Sequence, residues 1–235
     1  MRATNGRRRW RGGGAIGTAA VTVGLVLGAA ACGSSGSEGI AGSSTTVAGS
    51  TSVPDGPDAI RVAIVADSEV PDEVIDQLDA RGDVTVVSRV AEPGWTIEQL
   101  DPGFDAALAG DADVLVYSAG ANSLLTTGIG GTLDLLQARV DRAKAATCLV
   151  YVLPSSDTSS LPEPSRTQAD DLLAGFGEVT DGWGVGVVSY PAIAATMADE
   201  GQRFYAEGEL GGFHPGTQSY GRIVDALAQE VAACR

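Results

Sequence analysis

Five short stretches of the chain are predominantly apolar, and more polar segments separate them. In chain order they are RVAIVA at 61–66, VTVVSRV at 84–90, DVLVYSA at 113–119, CLVYVL at 148–153 and VGVVSY at 185–190. Apolar runs that are continuous rather than alternating are typical of strands buried on both faces of a parallel sheet. The pattern therefore predicts five buried strands.

The segments between and after these strands have the apolar spacing of helices. Proline opens several of them, a position that suits the first turn of a helix. The final segment carries one apolar stripe. Strands that alternate with helices predict a single doubly wound, flavodoxin-like three-layer α/β domain with a mainly five-stranded parallel sheet over residues 58–235. The predicted helices begin at Pro71, near Thr96 and at Leu135, and others span Pro162–Phe176, Pro191–Glu200 and 217–234.

The first 57 residues differ from the rest in composition. An arginine-rich start leads into an uncharged run at 12–31, the layout of an export signal, and its Ala, Gly and Thr content is too weakly apolar for a membrane span. The stretch AAAC at 29–32 resembles the lipobox of bacterial lipoproteins. Residues 33–57 are rich in Gly, Ser and Thr and predict a flexible tether.

We therefore expect a signal peptide over 1–31, then a lipidated Cys32 at the head of a tether over 32–57. The protein would be exported and anchored by lipid on the outer face of the bacterial cell membrane. The alternative is an ordinary secretory peptide, cut so that Cys32 stays unmodified.

Charge and cysteine content narrow the classes of partner. After Cys32 the chain has 10 basic residues against 30 acidic ones, a net charge of −20, which argues against nucleic acid as a partner. Two cysteines, Cys148 and Cys234, also follow Cys32. In an exported chain this even number suggests one disulfide, and two buried free thiols are the alternative. The oligomeric state is left open by the sequence.

Candidate chemistry lies where the predicted strands end. In an open α/β sheet, ligands bind at the carboxyl ends of the strands. Ser68 follows the first strand, Gly94 the second and Asn122 the third, and His214, the only histidine, precedes the last helix. A serine needs a base, and an oxyanion needs main-chain or amide N–H donors. One histidine and separated cysteines do not provide a metal site, so no metal or other cofactor is expected.

This set of residues resembles the SGNH, or GDSL, hydrolases. Their Gly-Asp-Ser block is similar to residues 66–68, their second-block glycine to Gly94, and their Gly-x-Asn-Asp block to residues 120–123. Their histidine near the carboxyl terminus is similar to His214. The resemblance implies that Ser68 is the nucleophile and His214 the base. It also implies an oxyanion hole formed by the Ser68 N–H, Gly94 and Asn122.

The sequence departs from this family pattern at three positions. Ala66 replaces a glycine, Ser123 replaces an aspartate, and Gly211 stands where the family has the aspartate that orients the histidine. Three other acids are candidates for that last role, and the sequence leaves the choice among them, or a backbone carbonyl, open. They are Glu209, Glu207 and Asp157.

The resemblance implies an esterase that acts on an acyl or acetyl ester of a small molecule, lipid or glycan. The alternative is a catalytically degenerate lipoprotein of the same fold that binds a cell-wall polymer or a partner. The two hypotheses differ in whether Ser68 acts as a nucleophile.

Overall fold

The computed structural model describes residues 58–155, 157, 163–207 and 214–235, all within one unit of the chain, Gly49–Arg235. Strands and helices alternate along it. The strands are β1 (Ile60–Ala66), β2 (Val84–Ala91), β3 (Val114–Ser118), β4 (Cys148–Leu153) and β5 (Gly186–Ser189). The helices are α1 (Asp72–Asp79), α2 (Ile97–Ala109), α3 (Leu124–Ala146), α4 (Ser165–Trp183), α5 (Tyr190–Asp199) and α6 (Tyr220–Ala232), with a short 3-10 turn at Thr217–Ser219.

The five strands form one parallel sheet in the order β2-β1-β3-β4-β5. This order is that of a doubly wound, flavodoxin-like sheet, so the fold predicted from the sequence is confirmed. It places β1 between β2 and β3. The loops that follow these three strands therefore emerge side by side at one edge of the sheet.

Successive side chains of the central strands enter two separate apolar cores. On β1, Val62 and Ile64 pack against one face, and Ala63 and Val65 pack against the other. The first core is completed by buried residues of α1, α5 and α6, and the second by those of α2, α3 and α4. Burial on both faces explains why these strands are continuously apolar in the sequence.

Two helices extend well beyond their predicted limits. Helix α3 begins at Leu124 rather than Leu135. It includes an additional short helical stretch that precedes Gly128, whose own backbone is not helical (φ 67°). Helix α4 runs to Trp183 rather than Phe176, and Trp183 is buried in the core between the sheet and this helix layer. Glycines obscure the helical period in both places, since they add no side chain to the apolar stripe.

The predicted disulfide is present and joins Cys148, the first residue of β4, to Cys234, just after α6. The last helix is thus attached to the sheet at the edge where β4 begins. None of the helices within the described residues combines the length and apolar character needed to cross a membrane. Cys32 and the tether lie outside the described residues.

Candidate active site

Main-chain hydrogen bonds align the ends of the first three strands at the edge where the candidate residues lie. The N–H of Asp67 donates to the carbonyl of Ser118, and the N–H of Glu92 donates to the carbonyl of Ala66. Each bond extends the parallel pairing one step beyond a strand end. The loops that carry Ser68, Gly94 and Asn122 therefore begin at the same edge of the sheet, and main-chain hydrogen bonds fix where they begin.

Ser68 and His214 meet at this edge although 146 positions separate them in the chain. The Nε2 atom of His214 lies 2.9 Å from the Oγ atom of Ser68, and both side chains are partly buried. An imidazole nitrogen at this distance can accept the hydroxyl proton when the hydroxyl oxygen attacks a substrate. The two residues singled out from the sequence are thus placed as a nucleophile and base would be.

Two of the three expected oxyanion donors, Gly94 and Asn122, lie in the loops next to the one that carries Ser68. Gly94 is exposed in the turn between β2 and α2 with φ 80°, a conformation that favours glycine. Asn122 is half-buried in the loop between β3 and α3. These loops flank the one that carries Ser68, so their N–H groups belong to the same end of the sheet.

Ser123 connects these two flanking loops. Its side chain is fully buried, and its Oγ atom accepts a hydrogen bond of 2.9 Å from the N–H of Ile97, the first residue of α2. Its carbonyl accepts from the N–H groups of Thr126 and Thr127 in the first turn of α3. The residue next to Asn122 therefore fixes the start of both helices that follow the candidate oxyanion loops.

The carboxyl group of Asp67 lies next to Ser68 and is removed from water. Its Oδ1 atom accepts a hydrogen bond of 3.2 Å from the N–H of Glu69, so that the turn closes around Ser68. Burial raises the pKa of Asp67 to about 7, against the lowering effects of main-chain N–H groups, the His214 charge and the Ser118 hydroxyl. Asp67 Oδ2 and Ser118 Oγ are buried without a hydrogen bond of good geometry in the described residues.

Of the three acids considered for orienting His214, two lie within the described residues. Glu207 is 83% exposed and pairs with Arg203 at 3.4 Å, so its carboxylate is directed to that guanidinium. Asp157 is exposed beyond β4, where its charge acts on the phenol of Tyr205. Glu209 and Gly211 lie outside the described residues. The described part of the chain also contains no group of three or more His, Cys, Asp or Glu residues placed to bind a metal ion.

With this geometry established, comparison with known proteins identifies the family. A profile of the GDSL-like Lipase/Acylhydrolase family matches residues 40–222. The chain belongs to this family. It is accordingly an ester hydrolase of the GDSL type, as expected from the motifs. A search of curated proteins finds no significant match.

Solved structures with the same fold include several GDSL proteins. A lipolytic protein of the G-D-S-L family from Veillonella parvula is 12% identical with a TM-score of 0.58, and the alignment covers 73% of this chain and 97% of that one. An esterase from a Pseudoalteromonas species is 15% identical with a TM-score of 0.53, covering 74% and 97%. An acetylxylan esterase from Geobacillus stearothermophilus is 13% identical with a TM-score of 0.57, covering 74% and 95%.

Two departures from the GDSL pattern have a structural explanation. Ala66 takes the place of a glycine, and no non-glycine residue in the described part of the chain has a positive φ, so alanine is not strained there. Ser123 takes the place of an aspartate, and its hydroxyl oxygen accepts a hydrogen bond from the N–H of Ile97. Neither substitution disrupts the loops that carry the candidate site.

Three residues near this GDSL-type site were not foreseen in the sequence. The hydroxyl of Tyr190 donates to the carbonyl of Glu69, beside Ser68, at 2.6 Å. The hydroxyls of Tyr205 and Ser155 hydrogen bond to each other at 2.6 Å, just beyond the end of β4. Each contact joins segments far apart in the chain, and no local motif marks such partners.

Proposed function

We propose that the protein hydrolyses acyl or acetyl esters through Ser68 and His214. The observation that carries the proposal is the 2.9 Å separation of Ser68 Oγ and His214 Nε2 at the carboxyl ends of the strands. Family membership supports the proposal, because the chain belongs to the GDSL-like hydrolases and the resemblance of its motifs to that family implies Ser68 as nucleophile and His214 as base. No cofactor takes part in the proposed reaction.

The reaction begins when Ser68 Oγ attacks the ester carbonyl carbon and its proton passes to His214 Nε2. For this transfer the neutral imidazole carries its proton on Nδ1. The N–H groups of Ser68 and Gly94 and the side-chain amide of Asn122 stabilise the oxyanion that forms. His214 then gives its proton to the departing alcohol, which leaves an acyl group on Ser68.

Water completes the cycle by attacking the acyl carbonyl carbon. His214 takes a proton from this water and returns it to Ser68 Oγ as the second tetrahedral intermediate collapses, which releases the carboxylic acid and regenerates the Ser68 hydroxyl and the neutral imidazole. Proton transfers of this kind contribute about 10²- to 10⁴-fold each, and one oxyanion donor about 10²- to 10³-fold. Loss of either Ser68 or His214 should therefore remove almost all of the activity.

We propose an ester of a glycan or lipid at the cell surface as the substrate. The acetylxylan esterase from Geobacillus stearothermophilus, which has the same fold, is named for such a glycan ester. The high negative charge of the chain after Cys32 favours neutral over polyanionic substrates, because like charges repel at long range.

Export and lipid anchoring belong to the same proposal. The apolar run, the small residues before Cys32 and the Gly, Ser and Thr tether after it are the features that support it. Mass spectrometry of the mature amino terminus tests the idea. A terminal Cys32 that carries acyl chains supports anchoring, whereas a chain that starts elsewhere or carries an unmodified Cys32 contradicts it.

The decisive experiment on function uses a fluorophosphonate probe and short-chain p-nitrophenyl esters. We expect the wild-type protein to be labelled at Ser68 and to hydrolyse p-nitrophenyl acetate, and Ser68→Ala and His214→Ala to lose both properties while remaining folded. Ser88→Ala, a half-buried serine of β2, is the matched control. Absence of labelling and turnover in the folded wild-type protein would instead favour the binding lipoprotein.

A further inference from the structure

The segment that carries His214 is paired with a second segment through its main chain. Phe204–Ala206, here called the bridging segment, runs antiparallel to His214–Gly216 with a bridge between their middle residues. The N–H of Gly216 donates to the carbonyl of Phe204 at 2.7 Å, and the N–H of Ala206 donates to the carbonyl of His214 at 3.0 Å. The backbone of His214 is therefore fixed by hydrogen bonds as in a short β-ladder.

Aromatic side chains attach the bridging segment to the core. Phe204 is 3% exposed, and its ring lies 5.2 Å from that of Tyr190 and 5.1 Å from that of Tyr205. Tyr205 also hydrogen bonds through its hydroxyl to Ser155, at the carboxyl end of β4. Aromatic pairs at such separations contribute beyond their buried area, so the segment is held on two sides.

The same aromatic group reaches the main chain beside the serine. Tyr190 is fully buried at the start of α5, and its hydroxyl donates to the carbonyl of Glu69 at 2.6 Å. Glu69 immediately follows Ser68 and closes the turn with Asp67. A short chain of contacts thus runs from the Ser68 turn through Tyr190 to the bridging segment.

We propose that the bridging segment and Tyr190 are positioning elements that hold Ser68 and His214 at their hydrogen-bonding distance. The inference rests on the proposed Ser68 and His214 mechanism. A displacement of about 1 Å between reacting groups can cost about 10²-fold in rate. Contacts that hold both residues in place therefore have a direct effect on turnover. This role is separate from whichever group contacts the remaining nitrogen of His214.

Gly216 offers a specific way to open the bridge. A Cβ atom at this position would lie 2.9 Å from the carbonyl oxygen of Tyr205 and 3.1 Å from its carbonyl carbon. The φ of Gly216 is −81°, which alanine adopts without strain, so the close approach of the two backbones is the only obstacle. Gly216→Ala should push the paired segments apart and move His214.

The matched control is Gly221→Ala. Gly221 lies in α6, where an added Cβ would have no heavy atom within 4 Å apart from its chain neighbours and the nearby backbone of its own helix. We expect Gly216→Ala to lower kcat for p-nitrophenyl acetate by about 10- to 100-fold with KM changed less than twofold, and Gly221→Ala to retain wild-type kcat. An unchanged kcat in folded Gly216→Ala would overturn the proposal.

A second readout does not depend on activity. His214 is the only histidine of the chain, so the imidazole nitrogens of untagged, ¹⁵N-labelled protein give unambiguous NMR signals. In Gly216→Ala we expect the Nε2 signal to move toward its position in Ser68→Ala, where the hydrogen bond is absent. If the wild-type protein is inactive but this shift occurs, the proposed function fails and the positioning role stands. An Nε2 signal at its wild-type position in folded Gly216→Ala would overturn the positioning role.

Tyr190→Phe tests the contact on the Ser68 side. It also provides a test of the proposal if Gly216→Ala does not fold. The change removes the hydroxyl that donates to Glu69 and keeps the ring that packs on Phe204. We expect kcat to fall about fivefold with KM unchanged, the size of one lost hydrogen bond. Tyr117→Phe, a buried tyrosine of the opposite core, is the control. A lower melting temperature with unaltered kcat in Tyr190→Phe would reduce its role to stability alone and overturn the proposal.

Discussion

Replacement of Asp67 by asparagine should stabilise the protein at neutral and alkaline pH. The side chain of Asp67 is 1% exposed, and burial raises its pKa from 3.8 to about 7. An asparagine has nearly the same shape and carries no charge. Its oxygen keeps the hydrogen bond from the N–H of Glu69, and its amide has the buried hydroxyl of Ser118 as a neighbouring acceptor.

The size and sign of the effect follow from the two pKa values. Between pH 4 and 7 the folded protein retains the proton on Asp67, whereas the unfolded chain has lost it. Stability therefore falls as the pH rises through this window, because the folded state binds more protons. The gap of about three pH units corresponds to roughly 4 kcal/mol at 1.4 kcal/mol per unit. Asp67→Asn removes this loss.

The assay is urea unfolding of both proteins between pH 4 and pH 8. We expect similar free energies of unfolding near pH 4 and an advantage for Asp67→Asn that grows to as much as about 4 kcal/mol at pH 8. For a domain of this size each kcal/mol raises the melting temperature by roughly 2 to 4 °C. Asp111→Asn, whose aspartate is 80% exposed, should show no such trend. A difference between Asp67→Asn and wild type that does not vary with pH would refute the reasoning.

Two further predictions concern the loops and the disulfide. Ser123→Ala leaves the buried N–H at the start of α2 without its acceptor, so the free energy of unfolding should fall by about 1 to 3 kcal/mol in urea titrations, and Ser123→Thr should retain most of it. Replacement of Cys148 and Cys234 by serine should lower the free energy of unfolding by up to about 4 kcal/mol, because the disulfide closes a loop of 86 residues. Equal stability of the serine variant and the oxidised wild type would contradict the second prediction.

The fold could be predicted from sequence because the central strands β1, β3 and β4 are buried on both faces. The expectation of five buried strands was wrong for β2, an edge strand whose residues after Val84 are half-buried or exposed. The predicted β1, 61–66, and β4, 148–153, agree with the observed strands to within one residue.

Helix limits were less accurate where glycine interrupts the apolar period, as at Gly128 in α3. The first turn of α3 is tied instead by local hydrogen bonds, from the N–H groups of Thr126 and Thr127 to the carbonyl of Ser123 and between the hydroxyls of Thr127 and Thr132. An apolar period does not reveal such polar contacts.

The candidate site was predictable only where local motifs mark it. Ser68 follows the first strand and His214 precedes the last helix, both in recognisable contexts, and the structure brings them together. The support from Tyr190 and the bridging segment is made of contacts between distant positions, and it has no local signature. The raised pKa of Asp67 is likewise a consequence of burial, which depends on the whole packed domain.

Helix α6 is restrained at both ends, and the two restraints should have different effects. Its first turn follows the segment that carries His214, at the active edge of the sheet, whereas Cys234 beyond its last turn is bonded to the first residue of β4. At about 3.3 Å per residue, β4 separates these two edges by roughly 16 Å. Loss of the disulfide should thus reduce stability and leave the kcat of the folded protein near its wild-type value. Gly216→Ala, which opens the bridge, should have the opposite effect. Its main result should be a lower kcat, with a smaller change in the free energy of unfolding than loss of the disulfide causes. A large fall in kcat after removal of the disulfide alone would show that the position of His214 depends on the whole helix rather than on the bridging segment.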